Sequence, residues 1–428
     1  MPRLSSLFSP KFTTLLLGAS ALALVISIIL FPDLAFQSSL QGLQLWWKLV
    51  FPALLPFLIL TEMLRGLGAL HALGVLLEPL FRILFRVPGI GGFVMAIAFT
   101  AGMPAGAAAI GGMRKDGQLT RDEGERLLAV SHLLSPVILI SVVGVGFLHS
   151  AAAGLALAVI HYGSALLMAL AHRLRAERAS EARSVYDTQP GERGFLSRFW
   201  HTLEDARSRD GRTFGKLLGD AVSSGVQQLF VIGGYMMMFS VLLQAIPLTG
   251  MIDGLTSIVV AVVSDIGQGE AASLLTALMT GIIEPHLGAY AMTQQVGPPG
   301  SASSLGYAAL SALLAWGGLS THAQVRSFTA ATDLRFVRFL SARLQHGGIA
   351  FVLTLLAWRP LLQYFQEGAA VSTWAPIAAW NGGWSLEQNQ GWPFISPMML
   401  QFGSMLLVML VLSVFAAFLF RRGRGRKA

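Results

Sequence analysis

The sequence predicts an all-α polytopic membrane protein, with about eight transmembrane helices plus two re-entrant helical hairpins in an inverted repeat. Three observations carry that prediction. The 428 residues are 54% apolar and 12% charged, with mean hydropathy +0.63, whereas a soluble domain has about twice that charge density. Apolar runs long enough to cross the hydrocarbon core recur along the chain, and two of them, 90–113 and 271–296, are interrupted by Gly and Pro. The basic residues fall almost entirely on one side of the resulting topology.

From the N-terminus, MPRLSSLFSPK precedes an apolar run from Thr13 to Phe31. That run exceeds a signal-peptide core and is followed by no clean small-x-small site, so it reads as an uncleaved first helix. Spans are predicted at about 13–31, 45–65, 124–148, 151–172, 224–245, 305–327, 346–366 and 396–420. Amphipathic stretches at about 70–87 and 248–265 lead into the interrupted segments. If each interrupted segment enters and leaves on one side, both termini are cytoplasmic. Of the 30 Lys and Arg, only Lys48 and Arg359 then lie outside. The inner loop 173–216 carries ten basic and seven acidic residues around Pro190-Gly191 and reads as solvated, with an interfacial helix near Phe195–Trp200. Trp374, Trp380, Trp384 and Trp392 read as an interfacial aromatic belt.

The composition also excludes functions. No cysteine is present, which rules out disulfides, thiol catalysis and thiolate metal sites. Net charge +8 comes from scattered basic residues and the tail RRGRGRKA, which positive-inside topology explains without a nucleic-acid partner. HExxH, GxSxG, the Walker lysine loop and GxGxxG after a strand are all missing. No enzyme, ATP-driven pump or cofactor is predicted.

The stretch from Gly68, GALHALGVLLEPLFRILFRVPGIGGFVMAIAFTAGMPAGAAA, and that from Gln244, QAIPLTGMIDGLTSIVVAVVSDIGQGEAASLLTALMTGIIEPHLGAYA, have the same order of parts. Each follows a span, opens amphipathically, then breaks an apolar segment with Gly, Pro, and a second Gly beside Ala. A polar loop and a span with a polar cluster follow: SHLLSP in the first half, LSTHAQ in the second. The crossings 45–65, 124–148 and 151–172 separate the two units, and their odd number inverts the second copy. Opposed hairpins meeting near the midplane are the design of secondary transporters with discontinuous helices.

A broken helix survives in hydrocarbon only where protein or a hydrated cavity satisfies the freed backbone. Pro104 and Pro285 suit the first turn of a new half-helix, so two half-helix N-termini with free N–H donors are expected to point inward and to favour an anion. Gly102 and Gly106, with Met103 and Ala105, form the first candidate binding segment; Glu284, His286 and Gly288 belong to the second. The glycines, with Gly281, also read as close-packing positions. Glu284, an acid in mid-membrane, defaults to a functional role as a coupling group, cation ligand or hydrogen-bond donor, with a buried structural carboxyl as the plain alternative. Ser131, His132 and Ser135 are expected to face the first hairpin, and Ser320, Thr321 and His322 the second. His71, His149, His161, His172, His201 and His346 read as interfacial, nearer helix ends.

At LLEPLFRILFRVPGIGGFVMAIAFTAGMPAGAAA, then GQLTRDEGERLLAVSHLLSP and later GIIEPHLGA, the chain resembles the YlbJ family of sporulation integral membrane proteins over about residues 45–345. That family shares the nucleoside-recognition or Gate domain with concentrative nucleoside transporters. The resemblance implies a fold like those transporters. It divides the chain into 1–44, an N-terminal helix and outer loop; 45–150, a first Gate-like repeat with its hairpin; 151–221, a helix and basic loop; 222–345, the inverted repeat; and 346–428, two C-terminal helices and a basic tail. It also implies transport of dipicolinic acid, a small planar dianion, across the outer forespore membrane. Where the family often has a Lys after the first Gly-Ala and an Asn-Pro pattern, this chain has Ala108, Ala109 and HLLSP. The partners expected are an anionic small molecule and membrane lipid; H+ or Na+ coupling is allowed, and Gate-domain relatives form trimers or dimers, which admits a homo-oligomer. A nucleoside or other small-solute carrier, and a non-transporting membrane scaffold, are the competing functions.

Overall fold

The computed structural model describes residues 10–85, 91–175, 195–245, 250–262, 267–300, 304–369 and Val411. The expected span 396–420 apart from Val411, the tryptophans at 374–392 and the Pro190-Gly191 centre of the inner loop lie outside the described residues. Every regular element among those described is helical. Among the described residues, four helices are long and apolar enough to cross a membrane: Pro32–Gly66, Ala151–Arg173, Phe214–Gln244 and Phe336–Gln366.

Helix α1 (Pro10–Leu30) is followed by α2 (Pro32–Leu45), which runs through a π-helical turn, Trp46–Val50, into α3 (Phe51–Gly66). The segment 32–44, expected as an outer loop, is therefore helical. Asp33 in its first turn and Pro32 at its start favour helix initiation there. α4 (Ala69–Phe85) is the expected amphipathic element, and α5 (Gly91–Ala101) and α6 (Ala105–Lys115) form the first hairpin. α7 (Arg121–Ser131) starts with a capping box: the Thr120 hydroxyl accepts from Glu123 N–H, and the Glu123 carboxylate accepts from Thr120 N–H. After a non-helical stretch comes a π-helical segment, Ile138–Phe147, and then α8 (Ala151–Arg175).

α9 (Phe195–Asp210), the helix expected around Phe195–Trp200, packs on α4 and is tied to it by Arg198 and Glu78, 2.6 Å apart. α10 (Phe214–Ala245) lies along α2 and α3, where the Trp46 indole N–H donates to Leu229 O at 2.9 Å. Gly233 leaves room for that indole: a Cβ there would stand 2.7 Å from the ring. α11 (Met251–Val262), α12 (Gln268–Ile283), α13 (Pro285–Val296), α14 (Ser304–Trp316) and α15 (Gly318–Thr329) repeat the order seen from α4 onward, and α16 (Phe336–Ala369) packs against α14 and α8.

The two units also exchange partners. α6 of the first packs on α15 of the second, while α13 of the second packs on the π-helical segment of the first. Two apolar clusters result, one around the π-helical segment, α13, α14 and Trp358, the other around α5–α7 and Phe339.

An ionic belt joins the units at one end. Arg114 donates to both carboxylate oxygens of Asp333 at 2.8 and 3.0 Å, and its guanidinium holds the Asp333 carboxyl below the usual carboxylate range. Buried Glu125 accepts from Arg335 N–H at 3.0 Å and from the Arg335 guanidinium at 2.7 and 2.8 Å, with Arg338 at 2.8 Å. Both arginines are half exposed, which screens the pairs. Glu125→Gln is expected to cost on the order of 1–2 kcal/mol, read as a lower melting midpoint in detergent. An unchanged midpoint would leave the belt without a stabilising role.

Candidate functional site

The first hairpin breaks over Gly102–Pro104. Gly102 takes φ 72, and the Met103–Pro104 peptide is cis. Pro104 sits one residue before the expected position: it is the N-cap of α6 rather than its first helical residue. Its carbonyl accepts from Ala107 and Ala108 N–H at 2.9 and 3.2 Å, and no side chain caps this end. A Cβ on Gly102 would stand 3.3 Å from Ser135 N, and one on Gly106 3.1 Å from Ser131, so Gly106 lets α6 lie against the end of α7 and Gly102 lets this break approach the non-helical stretch that follows α7.

In the second hairpin Pro285 does open α13, but the expected free N-terminus is not there. Glu284, extended at φ −131 and ψ 120, turns its own carboxylate onto the helix end, accepting Leu287 N–H at 2.6 Å. Its other oxygen lies 2.9 Å from His286 Nδ1. An acid placed at the positive end of a half-helix is stabilised by the helix dipole, which explains how it tolerates burial. Two matching open N-termini were expected; only that of α6 lacks a side-chain cap. Gly288 meets Gly281 backbone to backbone, so the hairpin arms touch.

Two further breaks interrupt stretches expected as continuous spans. Instead of one helix over 124–148, α7 stops at Ser131 and the chain is non-helical through His132–Ser135. Instead of one helix over 305–327, α14 stops at Trp316, with Gly317 and Gly318 at φ 84 and 74. All four breaks meet. A Cβ on Gly317 would stand 2.9 Å from His132 Nε2 and 3.2 Å from Met103 Sδ, and one on Gly318 2.6 Å from Pro285 Cδ. Thr321 Oγ1 is 3.3 Å from His132 Nε2.

The freed backbone groups find partners the sequence reading missed. Arg343 of α16, fully buried, donates to His132 O at 2.6 Å, to Ala315 O at 3.5 Å and to Ala129 O, and also reaches His346 Nδ1 at 3.2 Å. One guanidinium thus serves the carbonyl ends of both α7 and α14, where the partial negative charge of each half-helix accumulates. His322 Nε2 donates to Trp316 O at 2.8 Å. Leu134 gives its N–H to His161 Nε2 and its carbonyl to the Tyr162 hydroxyl. His346 Nε2 completes the chain to His161 O at 3.0 Å. His161 and His346, expected at an interface, are buried: each lies on a packed helix face opposite a break. The signal for Arg343 was periodicity, because Phe339, Ala342, Arg343, His346 and Ala350 form one buried stripe.

Beside the convergence lies a cavity of about 670 Å³, within the range of small-molecule sites. Of the residues singled out from sequence, Met103, Pro104, Ala105, Ser135, Glu284, His286 and Thr321 line it. Gly102, Gly106, Ser131, His132, Pro285, Gly288, Ser320 and His322 pack outside that lining. Ser131, His132, Ser320 and His322 are buried, and Ser131 Oγ, Ser320 Oγ and the Nδ1 atoms of both histidines have no hydrogen-bond partner among the described residues. The opposite wall was not anticipated: Glu62 and Arg65 from α3, and Gln227, Gln228 and Tyr235 from α10. No group of His and acidic residues suited to a metal ion occurs among the described residues.

The family model for Gate, nucleoside recognition, matches residues 47–165. The sporulation integral membrane protein YlbJ of Bacillus subtilis (strain 168) is 36% identical over 363 residues, covering 83% of this chain and 86% of that protein. The chain belongs to the YlbJ family. No solved structure matches it. In this YlbJ-family chain the Gate match takes in α3 to α7 and the first part of α8, to residue 165, hence the first hairpin, the His132–Ser135 break and His161, and ends well before the second hairpin and Arg343.

Proposed function

We propose that this YlbJ-family protein is a secondary transporter of a small organic anion, dipicolinate, carried across the outer forespore membrane during spore formation. The observation that carries the reading is the meeting of four helix breaks beside one cavity of about 670 Å³. Irregular backbone at membrane depth is tolerated where it is packed in protein or lines a cavity, and discontinuous helices at a repeat interface are where transporters hold solute. The shared order of parts and the reciprocal packing of α6 on α15 and α13 on the π-helical segment support two units of opposite topology with re-entrant hairpins. The one-sided basic residues support cytoplasmic termini. The uncapped N-terminus of α6 beside the cavity favours a negatively charged group.

The Gate description, nucleoside recognition, favours a second reading, a nucleoside carrier. Purified protein in proteoliposomes, given labelled dipicolinate or uridine under imposed pH or Na+ gradients, separates them. Dipicolinate uptake above empty vesicles, not competed by uridine, is expected, and its dependence on either gradient names the coupling ion. Uridine uptake alone moves the assignment to the second reading. Uptake of neither leaves a membrane scaffold. In a sporulating host lacking its own family member, Glu284→Gln is expected to accumulate in the membrane yet leave spores with dipicolinate lowered at least about tenfold, a barrier of roughly 1.4 kcal/mol or more.

A further inference from the structure

We infer that Arg65 is the carboxylate-binding residue of the cavity, held in reserve by Glu62 and released when Glu62 transfers to Arg212. The inference rests on the transport reading above and names the group that recognises the anion's charge.

Among the residues lining the cavity, Arg65 is the one with a permanent positive charge. It stands in the last turn of α3, and its side chain is 53% exposed. Glu62, one turn earlier and nearly buried, takes a single nitrogen of it: Nη2 donates to Glu62 Oε1 at 2.6 Å. The remaining nitrogens, Nε and Nη1, make no hydrogen bond among the described residues, so a fork suited to a planar carboxylate is only partly used.

The electrostatic objection to an anion here is that the lining also holds two acids, Glu62 and Glu284. Each is already compensated. Glu284 faces the N-terminus of α13 and His286. Glu62 has a second cation, because Arg212 Nη2 lies 3.7 Å from the same Oε1. Arg212 is fixed by Asp210, at 2.6 Å from Nη2, and by Asp220, at 3.1 Å from Nη1. A substrate carboxylate that takes Arg65 therefore leaves Glu62 a short movement from another guanidinium, and no buried acid is stranded. Losing such a partner without replacement is what makes breaking a buried pair expensive. Gly66 supports the arrangement, since a Cβ there would crowd Leu217 and stand 3.1 Å from the Arg212 guanidinium. A ligand that merely fills the cavity would need neither arginine.

The test uses the full chain in proteoliposomes with labelled dipicolinate, and pyridine-2,6-dicarboxamide as an uncharged competitor of the same shape. Arg65→Gln is expected to raise KM for dipicolinate about tenfold or more, roughly 1.4 kcal/mol, with maximal rate and competition by the diamide changed less than about threefold. Arg65→Lys keeps a point charge without the fork and is expected to recover part of the loss. Glu62→Gln, which frees Arg65, is expected to lower KM. That change has the opposite sign to any folding defect. Wild-type uptake with an unaltered KM in Arg65→Gln, or a raised KM in Glu62→Gln, overturns the inference while leaving the transport reading in place. Absence of wild-type dipicolinate uptake overturns both.

Discussion

Arg343→Met is expected to destabilise the protein by about 3 kcal/mol or more, because it strips the partner from the carbonyls of Ala129, His132 and Ala315 together. Each buried acceptor left unpaired costs about 1–3 kcal/mol, and methionine recovers part of that by removing a buried charge. For a chain of this size the melting midpoint in detergent should fall by roughly 3 °C or more. Arg343→Lys, with a compact ammonium in place of a planar fork, should fall between the two. The mutated side chain does not line the cavity, so a loss of uptake in proportion to the loss of folded protein is expected, with KM held. A methionine variant that melts with the wild type would mean that the ends of α7 and α14 find other donors.

Gly318→Ala concentrates a comparable penalty at the meeting point of the breaks. A residue with a side chain at φ 74 pays about 1–2 kcal/mol. The added Cβ stands 2.6 Å from Pro285 Cδ and 3.0 Å from Pro285 N, and overpacking of that kind costs about 1–3 kcal/mol. Relief requires Pro285 to move, and Pro285 stands between Glu284 and His286, both on the cavity wall. Uptake is therefore expected to drop at least about tenfold even in the fraction that remains folded. Gly112→Ala, where an added Cβ meets nothing within 4 Å, is the control and should leave uptake and melting unchanged. Equal behaviour of the two variants would separate the break at Gly317–Gly318 from function.

Several helices and the two helix pairs α5–α6 and α12–α13 were legible because their signals are local. Apolar runs and 3.6-residue stripes mark α4, α8 and α10, and Gly with Pro in one short window marks Gly102–Pro104 and Glu284–Pro285. The breaks at His132–Ser135 and Gly317–Gly318 were not legible, because hydrophobicity continues through both: Leu133, Leu134, Val137 and Ile138 on one side, Leu313, Leu314 and Trp316 on the other. Pro136 and the Gly pair were the only punctuation, and polarity drew attention to Ser131 and Ser320 instead. Arg343 was absorbed into the positive flank of a span read from residue 346, whereas α16 begins at Phe336. Free N–H donors were expected at both inner helix ends, but whether a neighbouring acid folds back onto its own helix, as Glu284 does, is a rotamer choice that spacing does not encode. The α10 wall of the cavity exists only through tertiary packing.

The span of chain between Arg343 and the carbonyl it serves has a consequence for how the protein is made. His132 precedes Arg343 by 211 residues. At a synthesis rate of about 5–20 residues per second, the end of α7 is made roughly 10–40 s before its guanidinium. If the first unit reaches the membrane in that interval, the carbonyls of Ala129 and His132 lack the guanidinium that serves them in the finished fold, and lipid offers no substitute. Release of the α16 segment would then act as the closing event of assembly, and nascent chains arrested before Arg343 emerges from the ribosome should be open to proteases around His132–Ser135, whereas chains long enough to expose it are closed.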